Sequence, residues 1–281
     1  MDHAAPRISV VIALLNRRAT LERCLDSVIG QSYAQRELVV IDGGSTDGSL
    51  EVLRARAASI AYWESERDRG LYHAFNKALG KASGDWLYFL GADDYLWERQ
   101  ALEKMAPHLA RAAPRHRVVY AQANFVSAAG ELLETLGAPW EGFRHRFLQG
   151  FMIPHQATFH HRSLFEERGA FDESFRMGGD YELLLRELPG RAPLFVPGVV
   201  VAAYCFGGAS SAPQNTLEVL RVVRRAQRAN GIRFPGLLWY AALARALIRV
   251  ALWKVLGERT AKRLLDLGRA ALGKPAFWTR I

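Results

Sequence analysis

The chain of 281 residues is half hydrophobic, enough for one large domain or a domain with an appendage, and carries a formal net charge of +9. Residues 1–213 hold 23 Lys/Arg against 25 Asp/Glu, whereas residues 214–281 hold 14 against 3, so the whole basic excess sits at one end. That excludes a nucleic-acid-binding face from the first 213 residues and gives 214–281 an acidic surface as its expected partner.

Met1 to Arg7 is too short and polar before the first apolar run for a secretory signal. Cys24 and Cys205 lie in apolar surroundings without metal-ligand spacing, as expected of buried thiols in a reduced compartment. The run Ile8 to Leu14 predicts a strand buried on both faces. Asn16 and Thr20 lead into an amphipathic helix with Leu21, Cys24, Leu25, Val28 and Ile29 at helical spacing. Glu37 to Ile41 is the next strand, followed by the turn Asp42 to Gly48 and a helix from about Ser49. Ile60 to Trp63 makes a third strand, residues 72–82 a helix, and Asp85 to Leu90 a fourth strand. Strand and helix alternate over short connections, which predicts a parallel, doubly wound α/β sheet with ligands at the strand carboxyl ends.

After a helix near 98–110 the pattern changes. Val118 to Ala121 and Asn124 to Val126 read as two paired strands, with Gly130 turning toward Leu132. Residues 140–160 read as irregular and aromatic, and helices are expected at 163–169 and 179–188, then a strand from Leu194 to Tyr204. Gly207 to Pro213 reads as a loop or linker, and everything beyond it is helix-forming and rich in arginine.

Four polar features fall at strand ends on one side of this sheet: the turn after Leu14, Asp42 with its glycines, Asp68-Arg69, and Asp93-Asp94. Adjacent acids after a buried strand are a seat for a divalent cation, because Mg²⁺ and Mn²⁺ prefer oxygen ligands. Each feature also has a plain structural reading: Asp42 as a tight turn, Asn16 as a helix cap, Asp93-Asp94 as a polar turn. No G-x-G-x-x-G follows a strand, which counts against a dinucleotide-dependent dehydrogenase. Leu14 to Arg18 contains no glycine, which counts against the phosphate loop of a sugar nucleotidyltransferase. A non-catalytic carbohydrate- or membrane-binding module is the remaining alternative.

The ordered set Ser9 to Ile12 with Asn16, Ser27 to Tyr33, Val40 to Gly48, Ser65 to Tyr72, Asn76-Lys77, Gly84 to Asp94, His155-Gln156, Gly169 to Glu173 and Gly179 to Leu183 resembles family 2 glycosyltransferases of the GT-A fold. The likeness spans roughly residues 8–205 and lies with the bacterial cell-surface polysaccharide branch. It implies a GT-A-like doubly wound mixed sheet flanked by helices, with a C-terminal helical appendage. Residues 1–213 would form the transferase domain, with about 1–97 binding the nucleotide sugar and about 98–213 the acceptor, and 214–281 a basic helical region. The reaction implied is inverting transfer from a nucleotide-diphosphate sugar, UDP-linked by preference, to a hydroxyl of a lipid-linked saccharide.

The resemblance also implies roles. Leu14, Asn16, Asp42, Asp68 and Arg69 would contact the nucleotide, Asp93 the ribose and diphosphate, and Asp94 an Mn²⁺ or Mg²⁺ ion bridging the diphosphate oxygens. Arg69 would either grip a phosphate or pair with Asp68. Asp180 would be the general base, and would also serve as the N-cap of a helix beginning at Tyr181. His155 and Gln156 would lie near the acceptor or diphosphate. Three positions depart from the family pattern: Ala13, Gly43 and Gly91 stand where many relatives have Pro, an acidic residue, and Asp or Asn.

The longest uncharged stretch of the tail, Phe234 to Ala244, has eleven residues, against about 20 for a membrane span. Trp and Tyr beside Arg and Lys suit a helix lying on anionic lipid, with Arg245 and Arg249 on one face. A cytoplasmic enzyme, peripheral on the inner face of the membrane and binding no nucleic acid, is therefore expected; packing of these helices on the domain is the alternative.

Overall fold

The computed structural model describes residues 4–205 and 215–280. In strand β1 (Ile8–Leu14), Ile8, Val10, Ile12 and Leu14 enter one hydrophobic core while Val11 and Ala13 enter a second across the sheet. Burial on both faces is why the run is apolar without alternation. Helix α1 (Arg18–Ile29), β2 (Arg36–Asp42), α2 (Ser49–Arg56), β3 (Tyr62–Ser65), α3 (Leu71–Leu79) and β4 (Trp86–Gly91) follow. The four strands pair in parallel, in the order β3-β2-β1-β4. Their register sets Leu14 beside Asp42, Asp42 beside Ser65 and Ala13 beside Gly91. All four carboxyl ends therefore finish at one level, and the polar turns that follow them share one edge.

The second half adds β5 (Tyr95–Leu96), α4 (Ala101–Ala112), β6 (Val118–Val126), β7 (Leu132–Leu136), α5 (Trp140–Leu148), β8 (Thr158–His161), α6 (Arg162–Arg168), α7 (Gly179–Glu187) and β9 (Leu194–Cys205). The sheet continues past β4 as β8-β6-β9-β5, with β7 hanging from β6, so it is mixed. Two sequence expectations are corrected here. Residues 118–126 form one strand, and the break expected near Gln122 survives only as a register shift against β9. Residues 140–160 are largely ordered: α5 buries Trp140 and Phe147, two turns apart with ring centroids 5.3 Å from each other, a spacing hidden among neighbouring aromatics.

The loop expected at 207–213, and with it the domain boundary at 213, lies outside the described residues. Helix α8 (Thr216–Ala229) packs on α7 and gives Val223 and Ala226 to the second core. Its buried Gln227 donates to the Leu148 carbonyl (2.9 Å). Helix α9 (Leu237–Ala270) is broken at Gly257. Its Trp239 donates to the Leu220 carbonyl (3.3 Å), and Ala246 is buried. Arg245 and Arg249 do not share a free face: Arg249 stacks on Trp278 (4.6 Å) and donates to Thr216 (3.3 Å). The outward face is apolar instead, with Leu237, Ile248 and Val255 more than half exposed.

Candidate active site

The strand-end turns are built by side chains bonding to backbone. Asp42 is fully buried, and its carboxylate accepts from the amides of Gly44 (3.2 Å) and Ser45 (3.0 Å) and from the hydroxyls of Ser45 and Ser65. Desolvation is offset because every oxygen has partners. Asn16 adopts a left-handed backbone (φ 54°), and its side-chain oxygen accepts from the Thr46 amide (2.9 Å). It therefore ties the β1–α1 turn to the β2–α2 turn and does not cap α1, whose N-cap is Arg17. Asp68 accepts from the Gly70 amide (2.9 Å).

Arg69 pairs with Glu173 (2.6 Å) from the segment before α7, and neither grips the cleft nor bonds to Asp68. The pairing with Asp68 raised by the sequence is replaced by one with a partner 104 positions away, beyond the reach of motif reading.

Asp93 and Asp94 follow β4 on a tight turn in which the Asp94 amide donates to the Gly91 carbonyl (3.0 Å). A Cβ at residue 91 would come within 2.8 Å of an Asp94 oxygen and 2.9 Å of an Asp93 oxygen, so the glycine lets both carboxylates fold back over the strand end. Asp93 is half-buried; Asp94 is 3% exposed and accepts from the Cys205 amide (2.8 Å) and from Gln156. Burial, with Asp93 alongside, holds the Asp94 carboxyl well above the ordinary carboxylate range, and Arg23 offsets only part of this. The pair is short of positive charge. Among the described residues no third His, Cys, Asp or Glu joins it as a ligand. Two carboxylates without a third suit Mg²⁺ or Mn²⁺ that keeps waters and shares phosphate oxygens, and do not suit an all-protein cage.

Across the cleft, α7 begins at Gly179, as expected for a helix at 179–188 and two residues before the Tyr181 start that a capping Asp180 required. Gly178 is its N-cap, and Asp180 lies inside the first turn without a capping bond. This corrects the capping role: the carboxylate instead accepts from the Tyr72 hydroxyl (3.1 Å), which in turn accepts from the Asp180 amide (3.3 Å). Tyr72 is buried and stacked on Phe171 (5.4 Å), and burial beside Asp180 raises its pKa well above the usual value, so it stays a donor. The second Asp180 oxygen is 3.6 Å from Nδ1 of His155. The far end of α7 is anchored by the buried Arg117–Glu187 pair (2.6 Å).

These groups meet in one cleft of about 660 Å³. Its lining includes Leu14, Asp68, Asp93, Asp94, His155, Gln156 and Asp180; Asn16, Asp42 and Arg69 are not part of it. The lining also holds residues that sequence reasoning missed: Arg17, Tyr72, Arg176, Tyr204 and three valines of α8, Val219, Val222 and Val223. Tyr72 stood inside a quoted motif and was findable; the valines look like any amphipathic helix.

The sequence profile described as "Glycosyl transferase family 2" matches residues 9–166. A PGL/p-HBAD biosynthesis glycosyltransferase of Mycobacterium bovis (strain BCG / Pasteur 1173P2) is 31% identical over 257 residues, covering 87% of this chain and 95% of the relative. The mannosyltransferase PcManGT of Pyrobaculum calidifontis, solved with GDP-Man and Mn²⁺, superposes with a TM-score of 0.60 at 21% identity, over 95% of this chain and 80% of that one. The S. aureus TarS 1–349 structure with UDP-GlcNAc gives a TM-score of 0.60 at 18% identity, over 78% of this chain and 66% of that one. The mixed sheet and its flanking helices are those of a GT-A glycosyltransferase, and the chain belongs to glycosyl transferase family 2.

Proposed function

We propose that this transferase works by inversion, taking a sugar from a nucleotide diphosphate, with UDP the first nucleotide to test, and passing it to a hydroxyl of a lipid-linked saccharide in surface polysaccharide assembly. The observation that carries this reading is the presence of Asp180 in the same cleft as Asp93 and Asp94. Leu14 and Asp68 border the nucleotide, while Asn16 and Asp42 act through the turns they hold. Asp180 takes the proton of the attacking hydroxyl, oriented by Tyr72, and the hydroxyl oxygen bonds to the anomeric carbon as the diphosphate leaves from the opposite face. Asp94, with Asp93, would hold Mn²⁺ or Mg²⁺, which neutralises charge on the departing diphosphate. Gln156 keeps Asp94 in place, and His155 lies beside Asp180 on the acceptor side. The solved relatives' ligands, UDP-GlcNAc and GDP-Man with Mn²⁺, support a nucleotide-sugar donor. Thermal stabilisation by a panel of nucleotide sugars, with and without Mn²⁺, tests this; no Mn²⁺-dependent shift with any of them sinks it.

The same proposal places the enzyme on the cytoplasmic membrane face through α9. No helix among the described residues is long and apolar enough to cross a membrane. The outward stripe of α9, Leu237, Tyr240, Leu247, Ile248 and Val255, is exposed and flanked by exposed Arg245 and Lys254, an arrangement that suits the interface of anionic lipid. Replacing Arg245 and Lys254 with Glu is expected to release the protein from anionic liposomes in flotation. Equal flotation of the variant and the wild type would remove the electrostatic part.

A further inference from the structure

The cleft has one wall without polar side chains. Leu136, Phe143, Met152, Ile153, Val219 and Val222 all line it, and none carries a charged or hydrogen-bonding group. Two tyrosine hydroxyls of the cleft lining are already committed: Tyr181 donates to the Phe147 carbonyl (2.7 Å) and Tyr72 to Asp180. The wall also adjoins the proposed base. Gly178, two residues before Asp180, has φ +71°, and a Cβ there would come within 2.8 Å of Val222 Cγ1. Helix α8 is thus seated directly against the start of α7, and it lies beyond residue 166, where the match to the family profile ends.

We infer that this wall is an acceptor subsite for hydrocarbon: the acceptor presents its hydroxyl to Asp180 and lays an aliphatic aglycone against α8 and Met152. This rests on the assignment of Asp180 as base and specifies the acceptor that assignment leaves open. A sugar ring set on the wall would lose hydration of its hydroxyls with nothing to replace it, whereas an alkyl chain gains by leaving water. The wall is aliphatic apart from Phe143, which favours a flexible chain over a flat ring.

The test is a ligand-observed NMR titration of the full chain with methyl, hexyl and phenyl β-D-glucopyranoside, each with and without UDP and Mn²⁺. Burial of two or three methylenes predicts a hexyl glucoside bound about 15- to 60-fold more tightly than the methyl glucoside. The double variant Val219→Thr, Val222→Thr keeps side-chain shape and adds hydroxyls to the wall; it is expected to shrink that advantage to about threefold or less while UDP affinity is kept. If circular dichroism shows the double variant unfolded, Met152→Gln alone carries the same comparison. Equal binding of methyl and hexyl glucoside overturns the inference. So does a hexyl advantage that persists in the variant, which would put the probe elsewhere, on the outward face of α9. Tighter binding of phenyl than hexyl glucoside overturns the aliphatic assignment. A wild type that shows the hexyl preference but binds no UDP would strike the donor reading and support this one.

Discussion

The two walls of the cleft are made in opposite ways. The wall proposed for the donor comes from the consecutive strand ends of β1, β2, β3 and β4, where Asp42 and Asp68 accept from the backbone of their own turns and Asn16 accepts from that of the next. The acceptor wall is assembled from stretches far apart in the chain, around residues 136–143, 152–156, 176–181 and 219–223, and is mostly apolar. The difference has a physical basis. A phosphate or ribose is held by groups whose geometry a local turn can fix, so the residue types and spacing are constrained. An apolar surface needs only volume and exposure, which many sequences supply.

The sharpest way to break this division is at Asp180, where both walls meet. Asp180→Asn keeps the shape and the Tyr72 contact but cannot take a proton. Turnover is expected to fall by about two to four orders of magnitude with donor affinity nearly unchanged. Wild-type turnover in the variant would end the base role. On the donor wall, Asp94→Ala is expected to remove the Mn²⁺-dependent part of nucleoside diphosphate binding in calorimetry. Retained Mn²⁺ dependence would take Asp94 out of the metal site.

The same division explains what could be read in advance. The parallel strands β1 to β4 and the meeting of Leu14, Asp68, Asp93 and Asp94 at one edge followed from residues local to each strand end, whereas the mixed GT-A sheet and the place of Asp180 in the cleft followed from the family resemblance. The burial of Asp42 did not, since it depends on Ser65 arriving from β3. Nor did the pairing of Arg69 with Glu173, or the place of Asp180 inside the first turn of α7, where Gly178 takes the N-cap. Helix α8 was expected in a basic tail; its valines reach the cleft because α7 and the end of α5 leave a groove for them, a tertiary fact without a sequence signature.

Behind the point where the walls join, His160 is fully buried between Phe89 (5.5 Å) and His155 (6.3 Å between ring centroids). Burial pushes its pKa from 6.5 down to about 3. The unfolded chain therefore takes up the proton first as pH falls, and stability is lost between those two values. By pH 5 the loss is about 2 kcal/mol. In urea unfolding at pH 7.5 and pH 5, His160→Leu is expected to lose less stability than the wild type by about that amount. Identical losses in the two proteins would mean that the ring is protonated in the folded state.

The smallest effect expected is at Tyr72, which belongs to α3 on the side proposed for the donor yet bonds to the proposed base across the cleft. Tyr72→Phe removes one hydroxyl from a buried, stacked ring and leaves the packing against Phe171 in place. Asp180 then loses the bond that fixes one oxygen, so its approach to the attacking hydroxyl is less well directed. A fall in kcat of about tenfold is expected, with KM for the donor unchanged, because the hydroxyl's hydrogen bonds go to Asp180 and to the backbone at Gly179, at the start of α7. A raised donor KM with kcat intact would instead make Tyr72 part of the donor wall, and the two walls would then be coupled through α3 and no longer separable.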